Sequence, residues 1–318
     1  LENKIVAEKA VNCEFNVPPP LQVRNGLIYQ GMSRTPYTGD IVHKYKNGGK
    51  KYKINISNGW KVGQEITWYP NGIKHAVVNY KQSKIDGVAT EWYDNGQLQK
   101  VEHYTAGKLN GLVEEWYSDG HIKASANWLK GKEQGTAIEW YNNSTKKVEI
   151  IYINGKREGK ATWWYKNGHK KSVENFKNVK HNGHVESWYE NGTKEFDSYF
   201  VDGKQNSVGI EWYQNGKKLV DSNWVYGKEN GNEKQWYSTG QLKTEKNCKL
   251  GKLNGEFTTW YANGHHKSVI VWNDGNQVNS GEYWNKNGNR VSAPAFNHTA
   301  QSSSQDQLNA SQLGYMKL

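Results

Sequence analysis

Between Gly87 and Gly111 the chain passes through two stretches of alternating polarity separated by turn residues. Val88-Ala89-Thr90-Glu91-Trp92-Tyr93 alternates and is rich in β-formers, which predicts a strand. Asp94-Asn95-Gly96 is a hairpin turn signal, with a glycine free to take the positive φ that closes a short loop. Leu98 to Tyr104 then returns as a second strand, and Ala106 to Gly111 turns again. The unit is a β-hairpin, and the chain copies it. Trp-Tyr recurs from Trp68-Tyr69 to Trp260-Tyr261 at a constant step of 24 residues, with Lys44-Tyr45 and Trp284-Asn285 on the same lattice. A fixed period of this size marks one supersecondary unit stacked on itself.

These positions predict an all-β fold: an elongated, twisted antiparallel meander of about eleven 24-residue hairpins over residues 44–291. Strands about 4.8 Å apart would carry the array to roughly 100 Å, and twist of about 20–25° per strand would coil it. Residues 1–20, ending in Pro18-Pro19-Pro20, are expected to be an N-terminal arm, and 21–43 a pair of capping strands. Residues 292–318 are expected to be a polar tail or a short capping helix. Trp92 and Tyr93, being adjacent in a strand, should face opposite sides. A further apolar row follows twelve positions after each Trp, including Tyr80, Tyr104, Tyr152 and Phe176, with Cys248 in an aromatic slot.

Composition alters the picture in two ways. Trp and Tyr number 15 and 20 while apolar residues make up only 35%, so amphipathic rings replace the usual aliphatic core. The net charge of +11 favours anionic partners. No apolar run reaches the length of a helical membrane span. Cys13 and Cys248 are expected to be unlinked thiols. The first residue, Leu1, the arm and the polar tail favour a periplasmic or extracellular home over a cytoplasmic one.

Gly-x-x-x-Glu-Trp-Tyr-x-Asn-Gly, followed by an aromatic residue and Gly-Lys-x-x-Gly, resembles the variant MORN repeat of the bacterial YwqK-like antitoxin family. Gly111-Leu112-Val113-Glu114-Glu115-Trp116-Tyr117-Ser118-Asp119-Gly120 with Gly131-Lys132-Glu133-Gln134-Gly135 shows it. The resemblance covers residues 24–291 and implies a hairpin ribbon, no catalytic residues, and roles from toxin neutralisation to scaffolding and lipid-headgroup binding. Three departures fall at turns: Asn143-Ser144 for Asn-Gly, Ser207 for the closing Gly, and Asn276 for the turn Lys. Choline- and glucan-binding repeats share the ingredients, but at a period nearer 20 residues.

Two rows are candidates for binding. Lys108, Lys132, Lys156, Lys180, Lys204 and Lys228 hold one position in successive units, an electrostatic rail about 9.6 Å in step. Trp116, Trp140, Trp164 and Trp188 form a ladder on which sugars or cations could stack. Against the rail stands the recurring Glu before Trp, which offsets charge, and the value of an edge lysine in blocking aggregation. The expected partner is a protein, including a toxin, with anionic lipid or polysaccharide as the alternative; dispersed basic residues and the lack of a known module disfavour nucleic acid. No nucleophile elbow, phosphate loop or metal-ligand spacing occurs, and no cofactor is expected. The reading is a non-catalytic repeat protein, antitoxin-like, immunity-like or scaffolding.

Overall fold

The computed structural model describes residues 21–293, and every element in them is a strand. The arm, Cys13 and all but the first two residues of the expected tail or helix lie outside the described residues. The chain divides into two units, one through Ser207 and one from Val208 onward.

In the first unit a small sheet pairs Leu21–Arg24 with Leu27–Gln30 around Asn25-Gly26. Ile28 of this hairpin packs into the same core as Ile41, Ile54 and Ile56, and its N–H donates to Gly59 O at 3.1 Å. An antiparallel meander then starts with Gly39–Lys44 on Lys50–Ser57, so its first strand begins inside residues 21–43 and ends at Lys44. Each strand pairs with its sequence neighbour thereafter, as in Lys74–Lys81 on Lys84–Trp92 and Lys84–Trp92 on Leu98–Thr105. The second unit repeats the scheme, with Lys218–Val225 on Gly231–Trp236, Leu242–Lys249 on Lys252–Trp260, and His266–Asn273 on Glu282–Trp284. The architecture is therefore the all-β antiparallel hairpin meander that the period predicts.

Two kinds of turn alternate. The shorter is a two-residue loop with both φ angles positive, such as Ala106 (49°) and Gly107 (83°), the type I′ geometry whose twist suits a hairpin. Val179 occupies the glycine slot of one of these at φ 65°, a strained backbone for a β-branched residue. The longer turn begins at Tyr. Tyr93 N–H donates to Gln97 O at 2.8 Å, Gly96 N–H donates to Tyr93 O at 2.9 Å, and Asn95 Oδ1 accepts from Gln97 N–H at 3.0 Å. The strand thus ends at Trp92, and Tyr93 belongs to the turn and not, as its alternation suggests, to the strand.

The departures from the repeat leave the hairpins in place. Ser144 takes φ 64° and keeps the N–H bond to Tyr141 O at 2.9 Å, and Asn276 pairs with Asn273 across Asp274-Gly275. Gly87 marks a bulge: Val78 pairs with Ala89 while Tyr80 pairs with Ile85, so extra residues are accommodated at φ 104°. Ser207, at the corresponding place, is not among the positive-φ residues.

Alternation sorts the side chains onto two faces. Val78, Tyr80, Ile85, Ala89, Tyr104 and Leu109 are buried together on one, and Ala137, Val148, Ile150, Tyr152, Ala161 and Phe176 form a second cluster. The row twelve positions after each Trp is thus the core, while the Trp rings sit half-buried on the opposite face.

Candidate functional site

The meander is stitched across repeats at both ends of its hairpins. At the longer turns of the first unit a Tyr hydroxyl donates to the carbonyl of the next repeat's Trp: Tyr93 to Trp116 and Tyr117 to Trp140 at 2.7 Å, Tyr141 to Trp164 and Tyr165 to Trp188 at 2.9 Å. In the second unit Tyr213, Tyr237 and Tyr261 do the same to Trp236, Trp260 and Trp284. The turn Asn acts twice. Asn95 caps its own turn through Oδ1 and donates Nδ2 to Ser118 O of the next turn at 2.9 Å, as Asn143 does to Lys166 O at 3.0 Å. Burial holds the hydroxyls of Tyr69, Tyr93 and Tyr165 above the usual tyrosine pKa, consistent with protonated donors.

At the shorter turns both loop amides point back to the preceding repeat. Gly107 N–H donates to Ile85 O and Gly131 N–H to Leu109 O, both at 2.7 Å. The residue before each glycine donates to a side-chain oxygen: Ala106 to Asp86 Oδ2 at 2.9 Å, Asn154 to Gln134 Oε1 at 3.0 Å, Asn178 to Glu158 Oε2 at 2.8 Å. Sequence reasoning missed this acceptor row because Asp, Gln and Glu share only an oxygen at the right reach.

Lys108, Lys132, Lys156, Lys180, Lys204 and Lys228 each begin a strand directly after a shorter turn, and all are exposed. The stems of Lys108, Lys132, Lys180 and Lys228 lie over the glycine of the following turn: a Cβ placed on Gly155 would stand 3.7 Å from Lys132 Cβ, and one on Gly203 the same distance from Lys180 Cβ. The ammonium groups are another matter. Among the described residues none of these six lysines has an ion pair, whereas Lys252, in the same row, lies 3.1 Å from Asp274. The Glu row expected to offset them is engaged elsewhere. Glu115 pairs with Lys100 and Lys123, and Glu139 with Lys147, each at 3.2 Å.

Trp116, Trp140, Trp164 and Trp188 are half-buried at the ends of their strands, and their carbonyls are the acceptors of the Tyr row. Lys146 Nζ lies 5.9 Å from the Trp164 ring centre, so that ring already holds a cation of its own chain.

Charge is also buried on the core face. In the second unit Lys246 Nζ is 2.9 Å from Glu229 Oε2 and 3.0 Å from Glu233 Oε2. Cys248 donates its thiol hydrogen to Glu229 Oε2 at 3.3 Å, and burial pushes its pKa up to about 12. Burial also raises Glu233 to about 7, with Lys246 opposing and the Glu229 carboxylate adding to the rise. A carboxyl raised above its ordinary 4.5 binds a proton more tightly in the folded state, so its contribution to stability is present below that pH and is lost as pH climbs towards 7. Glu233→Gln removes this dependence. The variant is expected to gain on the parent between pH 4.5 and 8, by on the order of 2–3 kcal/mol at most. Thermal denaturation at the two pH values checks it, and a Tm difference that does not change with pH refutes it.

Among the described residues no three His, Cys, Asp or Glu side chains converge as metal ligands, and no helix is long and apolar enough to cross a membrane. No curated protein matches the chain. Four segments, residues 85–106, 157–178, 229–249 and 253–274, match the MORN repeat variant family, and their starts are separated by whole multiples of the 24-residue step. The chain therefore carries MORN-type β-hairpin repeats.

Proposed function

We propose that this chain is a non-catalytic binding module that holds an acidic protein partner along its lysine edge, as an antitoxin or immunity protein holds a toxin or as a scaffold holds a client. The MORN-type repeats support a repeat-type binding role. The observation that carries the reading is the set of exposed lysines of the first unit, Lys108, Lys132, Lys156, Lys180 and Lys204, which have no ion pair among the described residues, beside neighbours on the sheet that are paired. The stems of Lys108, Lys132 and Lys180 lie beside the glycine of the next turn, which leaves room for them along the edge. The alternative, an exported module recognising polysaccharide or anionic lipid through the Trp, Tyr and Lys rows, draws less support. The Tyr hydroxyls are committed to Trp carbonyls and Trp164 is already capped by Lys146.

The test compares two variants of equal charge. Lys132, Lys156 and Lys180 changed together to Glu should weaken binding to immobilised poly-glutamate at least tenfold, with Tm preserved. Lys46, Lys166 and Lys170 changed to Glu should weaken it far less. Equal losses would reduce the attraction to net charge and remove the lysine edge as a site. Tighter retention on phosphatidylserine vesicles than on any acidic polypeptide would replace the protein partner with a lipid surface.

A further inference from the structure

On the Trp face of the second unit, Glu245, Asn247, Glu256, Thr258, Trp260 and His266 line a groove of about 250 Å³. Other repeats show what fills this place. In three of them a Lys at the start of the returning strand pairs with an acid three residues on: Lys146 with Glu149 at 2.6 Å, Lys194 with Asp197 at 2.5 Å, Lys218 with Asp221 at 2.6 Å. Two of these lysines also lie against the next repeat's Trp, Lys146 at 5.9 Å from the Trp164 ring centre and Lys218 at 5.7 Å from that of Trp236. One repeat after Lys218 the same two positions are Leu242 and Glu245, and the corresponding ring is Trp260. The acid and the ring are kept, and the lysine is gone.

We propose that this groove binds a primary alkylammonium group, which takes the place that Lys146 and Lys218 occupy in their repeats. The indole face of Trp260 offers a cation–π platform and Glu245 the counter-charge. Glu256, which has no acidic counterpart at Val208 or Lys160, supplies a second carboxylate. Both carboxylates are oriented through one oxygen. Glu245 Oε1 accepts from Asn232 Nδ2 at 2.9 Å and lies 3.3 Å from Lys234 Nζ, and Glu256 Oε1 accepts from Thr258 Oγ1 at 2.6 Å. Their Oε2 atoms have no hydrogen bond among the described residues. His266, with ring centres 5.4 Å from Trp260 and 5.6 Å from Trp284, closes one wall. Trp116 and Trp140 also lack a covering lysine, their positions being Leu98 and Ile122, but Val101 and Ser125 stand where Glu245 does. Among the described residues only the groove at Trp260 joins a ring without a covering lysine to acids.

Cadaverine and Nα-acetyl-lysine N-methylamide, titrated into the full chain and followed by tryptophan indole N–H resonances, test the assignment, with glutarate as the anionic control. Saturable binding of the amines with millimolar Kd is expected, lost at least tenfold in Leu242→Lys, which restores the internal pair and so keeps the fold. Glu256→Gln should weaken the amines severalfold. Equal binding by both amines marks a lysine side chain of a partner as a competent source; binding of cadaverine alone restricts the site to free amines. Unchanged affinity in Leu242→Lys, no saturation with either amine, or equal binding of glutarate overturns the proposal.

Discussion

Replacing Lys100 alone by valine is expected to cost the first unit about 3–5 kcal/mol in urea denaturation, because it strands a buried carboxylate. Glu102 is only 1% exposed. Its Oε1 lies 2.9 Å from Lys100 Nζ, and its Oε2 accepts from the Tyr104 hydroxyl at 3.0 Å. Burial alone would pull the Lys100 pKa down, but Glu102 and Glu115 outweigh it and raise it, so the ion pair persists. Two repeats later the same positions are Val148 and Ile150, both buried, with Tyr152 where Tyr104 stands. The fold therefore accepts either solution. Lys100→Val with Glu102→Ile imports the apolar one, and this double variant should lie within about 1 kcal/mol of the parent or above it. A single variant as stable as the parent would show that Glu102 is not charged, or not buried, in the folded chain.

The second large effect concerns the tyrosine ladder. Changing Tyr93, Tyr117 and Tyr141 together to Phe removes three hydroxyl donors from the carbonyls of Trp116, Trp140 and Trp164 while leaving the rings in place. At about 1 kcal/mol for each lost bond, a loss near 3 kcal/mol is expected, which lowers Tm by roughly 6–12 °C for a unit of this size. The turns would still close, since Tyr93 N–H and O bond to Gln97 and Gly96 through the backbone. The loss falls on contacts between repeats. Thermal denaturation of the triple variant with unchanged Tm would mean that the hydroxyls serve something other than stacking.

Much of the fold was readable because the constraint is periodic. A constant 24-residue spacing, β-formers before Trp and glycine at both turns leave few alternatives to a hairpin meander, and the core row at Tyr80, Tyr104 and Phe176 follows from the same lattice. What the spacing hides is which way a side chain leaves the repeat. Tyr93 looks like one more alternating strand residue, yet it turns along the array because the strand stops at Trp92. Glu102 and Lys246 look solvent-facing by polarity alone, and only their partners, Lys100 and Tyr104 along the same strand for Glu102 and Glu229 and Glu233 across strands for Lys246, make their burial tolerable. The candidate site was readable as a row and not as a surface. Sequence supplies the register of Lys132, Lys156 and Lys180; where Glu115 and Glu139 spend their charge needed coordinates. The groove at Trp260 escaped notice because its signal is a leucine where a lysine belongs.

Everything proposed for this chain rests on adjacent hairpins holding one another through their turns. Backbone hydrogen exchange at the shorter loops tests this most directly, because the two amides of an isolated type I′ loop face water and exchange freely. Here Ala106, Gly107, Asn154 and Gly155 all donate to the preceding repeat, so their amides should be protected to a degree comparable with strand residues such as Val101 and Ile150. Exchange of those four amides at unprotected rates, with the strand amides still slow, would contradict it.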